Sequence, residues 1–115
     1  MTMYIVQGRY TRSAIVGMLK EPEDRAKAVS ALTEAVGGKI LDYYVTFGKS
    51  DFLLIIEGGE GRSETDTLAA LMVAGATGGV TDLTTTVAVH SEEAMQAMRT
   101  AGEIMEGFRP AGQAS

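Results

Sequence analysis

Short runs of apolar residues alternate with polar breaks along the chain, and their spacing predicts an ordered series of strands and helices. Met3 to Tyr10 is rich in large and β-branched residues and predicts a first strand. Apolar residues three and four apart over residues 13–20 indicate a short helix or turn. A longer helix is expected to begin near Pro22, to end at Gly37 and Gly38, and to bury a stripe formed by Ala26, Val29, Leu32 and Val36.

The pattern continues with a hairpin. Two β-rich segments, Lys39–Phe47 and Phe52–Glu57, flank the turn GKSD at residues 48–51, where glycine and short polar side chains favour a reversal of the chain. A flexible loop, GGEG, follows at residues 58–61. The remaining segments predict a helix, a strand and a final helix that opens with a capping pattern at its first serine: Glu64–Ala76, Val80–Val89 and Ser91–Glu106.

This order of elements predicts an α+β fold. Right-handed crossovers favour the ferredoxin-like βαββαβ arrangement, with a four-stranded antiparallel sheet of spatial order 4-1-3-2 and an added C-terminal helix. The 115 residues fit a single domain at residues 1–108, followed by a flexible C-terminal tail at residues 109–115.

The third predicted strand is apolar on both of its faces. Phe52, Leu54 and Ile56 share one face, and Leu53 and Ile55 share the other. A sheet with helices on one side only would expose the second apolar face to water. We therefore expect a second copy of the chain to cover that face in a homo-oligomer, as in the dimeric α/β barrels.

Charge and composition restrict the expected partners. The chain carries 10 Lys and Arg residues against 15 Asp and Glu, a net charge of −5, so neither nucleic acid nor a membrane is an expected partner. It contains no cysteine, which excludes disulfides and thiolate chemistry. The first ten residues predict a strand instead of a signal peptide, and no apolar run approaches the ~20 residues of a membrane span. A cytoplasmic location is the resulting expectation.

Four segments resemble the GYD-domain family, which is similar to dimeric ferredoxin-like α/β barrels. They are YIVQGRYT, LKEPEDRAKAV, VGGKILDYYVTFGKSDF and LLIIE, and the similarity extends over about residues 3–106. The family pattern of glycine, a spacer, tyrosine and aspartate corresponds here to Gly48, Lys49, Ser50 and Asp51. Ser50 therefore stands where the family has its tyrosine. If that phenol contributes to a site in the family, another tyrosine takes its place in this chain or the contribution is lost. The resemblance implies the fold and no particular reaction.

The predicted strand order separates the candidate polar residues into two groups. Strands one and two end where strands three and four begin, which gathers five residues at one end of the sheet: Arg9, Tyr10, Gly48, Asp51 and Asp82. His90 finishes strand four and is expected at the opposite end, roughly 17 Å or more away. Within one subunit His90 and Asp51 therefore cannot form a direct acid–base pair.

Asp51 has two interpretations. Its carboxylate either locks the hairpin, by bonding turn amides or pairing with Arg9 or Lys49, or it faces a ligand beside a tyrosine. Tyr43 and Tyr44 point to opposite faces of strand two, so one meets the helices and the other the second face of the sheet. The candidate ligand-binding residues are Arg9, Tyr10, Tyr44, Gly48, Asp51 and His90, and no catalytic residue is assigned.

No metal and no cofactor is expected from the sequence. The lone His90 has no further donors at metal-ligand spacing. The glycines at residues 58, 59 and 61 match neither a dinucleotide-binding turn nor a phosphate-binding loop.

Two classes of function fit these patterns. The first is an oligomeric small-molecule-binding, accessory or regulatory module with a pocket between sheet and helices. The alternative is a cofactor-free enzyme, similar to barrel monooxygenases or cyclases, that uses Tyr, Asp and His acid–base chemistry. The absence of Trp and the single His disfavour the enzyme. A purely structural oligomer is a third interpretation.

Overall fold

The structure, a computed structural model, describes residues 2–59, 61 and 64–113. Glu60 of the predicted loop and the tail residues Ala114 and Ser115 lie outside the described residues. The elements are, in chain order, β1 (Met3–Tyr10), α1 (Arg12–Lys20), α2 (Arg25–Ala35), β2 (Lys39–Val45), β3 (Phe52–Glu57), α3 (Glu64–Ala76), β4 (Val80–Ala88) and α4 (Ser91–Met105).

The four strands form one antiparallel sheet in the order β2-β3-β1-β4. This order is the predicted 4-1-3-2 arrangement read from the other edge, so the predicted ferredoxin-like fold is confirmed. Where β1 pairs with β4, Met3 lies beside Ala88 and Tyr10 beside Val80. The start of β1 therefore shares one end of the sheet with the end of β4.

The core lies on the face of the sheet to which even-numbered residues of β1 point. Tyr4, Val6, Phe52 and Leu54 are only 3–4 % exposed and contact one another. Val29 of α2 and Leu71 of α3 pack against them from the helix layer. Burying these side chains supplies the main driving force that holds the helices to the sheet.

Helix α2 begins later than its sequence pattern indicates. Asp24 is the N-cap, and its Oδ1 accepts a hydrogen bond of 3.0 Å from the Ala26 amide, so Pro22 lies before the helix. A carboxylate at this position both satisfies a free amide and suits the helix dipole, which makes it a better start than proline. The predicted stripe is partly buried, and the buried residue of α2 is Thr33, whose hydroxyl donates to the Val29 carbonyl at 3.0 Å.

The end of β2 and the cap of α4 also differ from the predictions. Strand β2 ends at Val45, and the Phe47 side chain at the hairpin tip is 102 % exposed. At α4 the N-cap is His90, whose side chain makes no capping hydrogen bond, while Ser91 is the first helical residue.

Within residues 2–59, 61 and 64–113, no helix has both the length and the apolar character needed to cross a membrane.

The second face of the sheet carries the odd-numbered residues of β1 and β3. Ile5 lies beside Ile55 there, and Leu53 lies beside Tyr44 of β2. Among the described residues, the partly buried side chains packed against the core cluster all come from the helix-facing side, so these four belong to a separate apolar surface. We call it the outer face, defined by Ile5, Tyr44, Leu53 and Ile55.

Candidate functional site

A cavity of about 610 Å³ lies between the helices and the sheet. This volume is within the range of about 300–1,000 Å³ that is typical of small-molecule sites. Helices α1, α2 and α3 form one wall, and the helix-facing residues of the four strands form the other. The wall is mainly apolar and includes Val29, Leu32, Leu54, Leu71, Val80 and Leu83.

A small polar cluster lies in the wall of this cavity. The hydroxyls of Tyr10 and Tyr43 are 2.8 Å apart and share a hydrogen bond. Arg25 and Glu23, at the start of α2, also line the cavity and form an ion pair of 3.1 Å. We call these four residues the tyrosine cluster.

The sheet positions both tyrosines on the same face. Tyr10 follows the alternation of β1, whereas β2 has an irregular register between Ile40 and Asp42 that brings Tyr43 opposite Leu54. Such a bulge changes which side chains point inward. The Phe52 ring supports the pair, with centroids 5.1 Å from Tyr10 and 6.0 Å from Tyr43.

The environment of Tyr43 keeps its phenol protonated. Burial raises the pKa of Tyr43 well above the usual value of about 10, and the hydrogen bond to Tyr10 acts in the same direction. The positive charge of Arg25 lowers the pKa, but less than burial raises it. At neutral pH this side chain is therefore a hydrogen-bond donor and not a phenolate base.

Asp51 ties the hairpin to the end of β1. Its Oδ2 accepts a hydrogen bond of 3.0 Å from the Tyr10 amide, and its own amide donates to the Gly8 carbonyl at 2.8 Å. The Asp51 carbonyl also accepts from the Thr46 amide at 2.8 Å. The carboxylate thus fixes the backbone from which the Tyr10 side chain enters the cavity. Its bond is to an amide of β1, and not to a turn amide as the hairpin-lock interpretation expects.

We expect Asp51→Ala to lower the free energy of unfolding by about 1.5–2 kcal/mol. The substitution removes a charge-assisted hydrogen bond and leaves the partly buried Tyr10 amide without this acceptor. Asp51→Asn retains an oxygen acceptor and is expected to lose less than half as much. Urea denaturation of the two variants and the wild type measures the difference. Equal stability of all three proteins would contradict a structural role for this carboxylate.

The other predicted site residues lie outside the cavity wall. Arg9 is exposed on the strand beside Thr81, and Gly48 belongs to the exposed tip of the hairpin. Tyr44 points to the outer face and is 51 % exposed. His90 follows β4 at the end of the sheet where Met3 lies, opposite the end where Tyr10 pairs with Val80.

The structure therefore brings Tyr10 and Asp51 together and leaves His90 apart. Sequence reasoning left Tyr43 and Tyr44 as alternatives for the helix-facing side, and it missed Glu23 and Arg25. Charged residues beside the N-cap of α2, at the sheet end where β1 finishes, are the pattern that could have identified them.

Two solved structures are similar to the chain, both at low sequence identity. One is the hypothetical protein PHS023 from Pyrococcus horikoshii, with 11% identity, a TM-score of 0.48 and coverage of 79% of this chain and 93% of that chain. The other is TTHA0845 from Thermus thermophilus, with 14% identity, a TM-score of 0.47 and coverage of 79% of this chain and 96% of that chain. A search of curated proteins finds no match.

The family comparison is the decisive one. The model of the GYD domain matches residues 4–98, which include the sheet from Tyr4 onward, the hairpin and the walls of the cavity. This match extends over most of the chain and confirms the resemblance inferred from the sequence. The chain therefore belongs to the GYD domain family.

Proposed function

We propose that the protein is a homo-oligomeric module that binds an uncharged, mainly apolar small molecule in the cavity between helices and sheet. The observation that carries this proposal is the hydrogen-bonded pair of Tyr10 and Tyr43 in the wall of a mainly apolar cavity. Binding sites of this kind combine a large apolar surface with a few polar groups that orient the ligand.

The tyrosine pair offers one free donor. In a hydrogen bond between two phenols, one hydroxyl proton lies between the oxygens and the other is free to point at a third atom. The raised pKa of Tyr43 keeps its hydroxyl proton in place at neutral pH. The complementary ligand group is a single acceptor, such as a ketone, ester or ether oxygen.

The ion pair at the edge of the cavity favours an uncharged ligand. Glu23 neutralises Arg25 at 3.1 Å, so the guanidinium does not need a carboxylate or phosphate from the ligand to balance its charge. A ligand anion would also meet the Glu23 carboxylate at the same edge of the cavity. A neutral molecule avoids this repulsion.

Self-association through the outer face is part of the proposal. Ile5, Leu53 and Ile55 form a contiguous apolar strip across β1 and β3 with Tyr44 beside it. Covering this strip with the same strip of a second copy removes it from water and leaves the cavity on the opposite face. The cytoplasmic location favoured by the composition also belongs to this proposal.

The enzyme alternative has weaker support. A cofactor-free oxygenase or cyclase needs a base near its substrate. The raised pKa of Tyr43 keeps its phenol protonated, so no phenolate is available as a base at neutral pH. Asp51 accepts from a backbone amide, and His90 lies at the other end of the sheet. Binding therefore fits this cluster better than proton transfer.

Two probes of matched shape test the binding proposal. We expect 2-acetylnaphthalene, a ketone, to bind more tightly than 2-isopropenylnaphthalene, in which a methylene replaces the oxygen. The expected preference is about five- to tenfold, the effect of one hydrogen bond of about 1 kcal/mol or slightly more. Isothermal titration calorimetry measures both dissociation constants.

Tyrosine variants test whether the preference for the ketone comes from the tyrosine cluster. In the double variant Tyr10→Phe with Tyr43→Phe the preference for the ketone is expected to disappear, because no phenol remains in the cluster. Tyr44→Phe, an identical deletion on the neighbouring residue but on the outer face, should keep it. No binding of either probe, or a preference that survives in the double variant, would contradict the proposed site.

A further inference from the structure

Helix α4 carries an apolar stripe that the described residues of its own chain leave largely exposed. No residue of α4 is buried, and Met98 and Met105 are 68 % and 77 % exposed. On a helical wheel, at 100° per residue, the apolar and small residues occupy one half of the helix circumference. We call them the α4 stripe: Ala94, Met95, Ala97, Met98, Ala101, Ile104 and Met105.

In the observed arrangement α4 does not fold back to bury this stripe against the described residues. The radius of gyration is 18.4 Å and the longest dimension is 65 Å. A compact domain of this length would have a radius of gyration of about 13 Å. Helix α4 is therefore an exposed amphipathic helix at the end of an elongated chain. A partner that covers its apolar stripe would remove that stripe from water.

The charge on the polar half of α4 indicates which kind of partner does not fit it. Glu92, Glu93 and Glu103, with Glu106 at the C-cap, accompany the single basic residue Arg99. Helices that lie on membranes carry Lys and Arg on the polar face, because the lipid surface is anionic. An acidic arm on a chain with a net charge of −5 does not fit that surface.

The spacing within the stripe fits a helix of the same sequence. Ala94, Met98, Ala101 and Met105 follow one another at intervals of 4, 3 and 4 residues, which is the seam of a coiled coil. The seam alternates a small residue with a large one. Two such helices pack closely when each large side chain meets a small one.

We propose that α4 pairs with α4 of a second copy, antiparallel about a two-fold axis that passes between residues 99 and 100. In this register Met98 faces Ala101 of the second copy, and Met105 faces Ala94 of the second copy. Outside the seam, Met95 flanks it on one side and Ile104 on the other. The antiparallel arrangement also brings opposite ends of the two helix dipoles together.

The α4 pair is separate from the interface at the outer face. A chain whose two interfaces have different two-fold axes assembles beyond a dimer, into a tetramer or a larger assembly. Loss of one interface leaves dimers held by the other, with a mass of about twice the 12.1 kDa of the chain. The two interfaces can therefore be tested independently.

Charge substitutions test each interface. Met98→Glu places a charge on the seam and is expected to reduce the wild-type assembly to dimers, as measured by multi-angle light scattering. Gln96→Glu adds the same charge on the polar half of α4 and is expected to leave the mass unchanged. Ile55→Lys breaks the outer face and is expected to give dimers held by α4.

Each result bears on one interface alone. An unchanged mass for Met98→Glu would overturn the α4 pairing, whereas an unchanged mass for Ile55→Lys would overturn only the outer-face interface. Binding of the wild type to phosphatidylcholine vesicles that Met98→Glu abolishes, with no change in mass, would also overturn the pairing.

Cysteine cross-linking tests the register. The chain has no native cysteine, so Met98→Cys and Ala101→Cys each introduce a unique thiol. When the two variants are co-expressed and oxidised, covalent dimers of one chain of each kind are expected to dominate, and mass spectrometry separates them from dimers of one kind. Predominance of dimers of one kind, a random mixture, or no cross-linking would overturn the antiparallel register.

Discussion

Replacement of Phe52 by alanine is expected to lower the free energy of unfolding by about 3–5 kcal/mol, the usual cost of deleting a buried aromatic ring. Phe52 is 3 % exposed and belongs to the core cluster. Its ring also fills the space beside Gly8, where an added methyl group would come within 2.8 Å of the ring. Since neighbouring backbone cannot close the gap freely, a cavity would remain. Urea denaturation at a fixed protein concentration measures the loss.

Phe47→Ala is the matched control for this prediction. It deletes the same ring from a side chain that is fully exposed at the hairpin tip, five residues away in sequence. The expected change in the free energy of unfolding is within about 0.5 kcal/mol, as for most surface substitutions. Equal losses in the two variants would mean that the core is not centred on Phe52.

The fold was predictable because each strand carries its own pattern. β1 and β3 have the predicted bounds Met3–Tyr10 and Phe52–Glu57, and their apolar residues determine which strands lie in the centre of the sheet. Boundaries that depend on a single capping bond were less predictable. The start of α2 is one of these, since Pro22 and Asp24 both suit a first turn and the Asp24 carboxylate provides the cap.

The candidate site was predictable only in part, for a geometric reason. The alternation along β1 places Tyr10 on the helix-facing side, and the strand order places Asp51 beside it. In β2 the irregularity between Ile40 and Asp42 decides that Tyr43 joins Tyr10. A bulge leaves no clear trace in a short run of mixed residues, so sequence alone could not choose between Tyr43 and Tyr44.

The volume of the cavity was also beyond prediction from the sequence. Patterns of apolar residues show which side of a helix faces a sheet, but they do not show how far apart the two layers stand. Val29 and Leu71 reach the core cluster, yet the same two residues line the cavity. The spacing of the layers depends on the packing of all these side chains together.

Gly59→Ala is expected to destabilise the protein by about 3 kcal/mol, at the upper end of the range for forcing a methyl group into a packed site. The loop after β3 lies against the C-terminal end of α2, where Gly37 has a φ of 77°. A methyl group on Gly59 would fall on the carbonyl oxygen of Gly37 and within 2.7 Å of its carbonyl carbon. Because both partners are backbone, no change of rotamer relieves the contact.

A glycine-to-alanine substitution in α3 serves as the control, because its expected effect on stability has the opposite sign. Gly75→Ala adds a methyl group in open space within a helix, where alanine is favoured over glycine by about 0.5–1 kcal/mol. Thermal unfolding at equal protein concentration is expected to show a midpoint lower by roughly 10 °C for Gly59→Ala and higher by a few degrees for Gly75→Ala. Equal midpoints for Gly59→Ala and the wild type would mean that the loop is not packed on α2. The end of α2 would then lack the support that keeps Thr33 buried and the helix wall of the cavity in place.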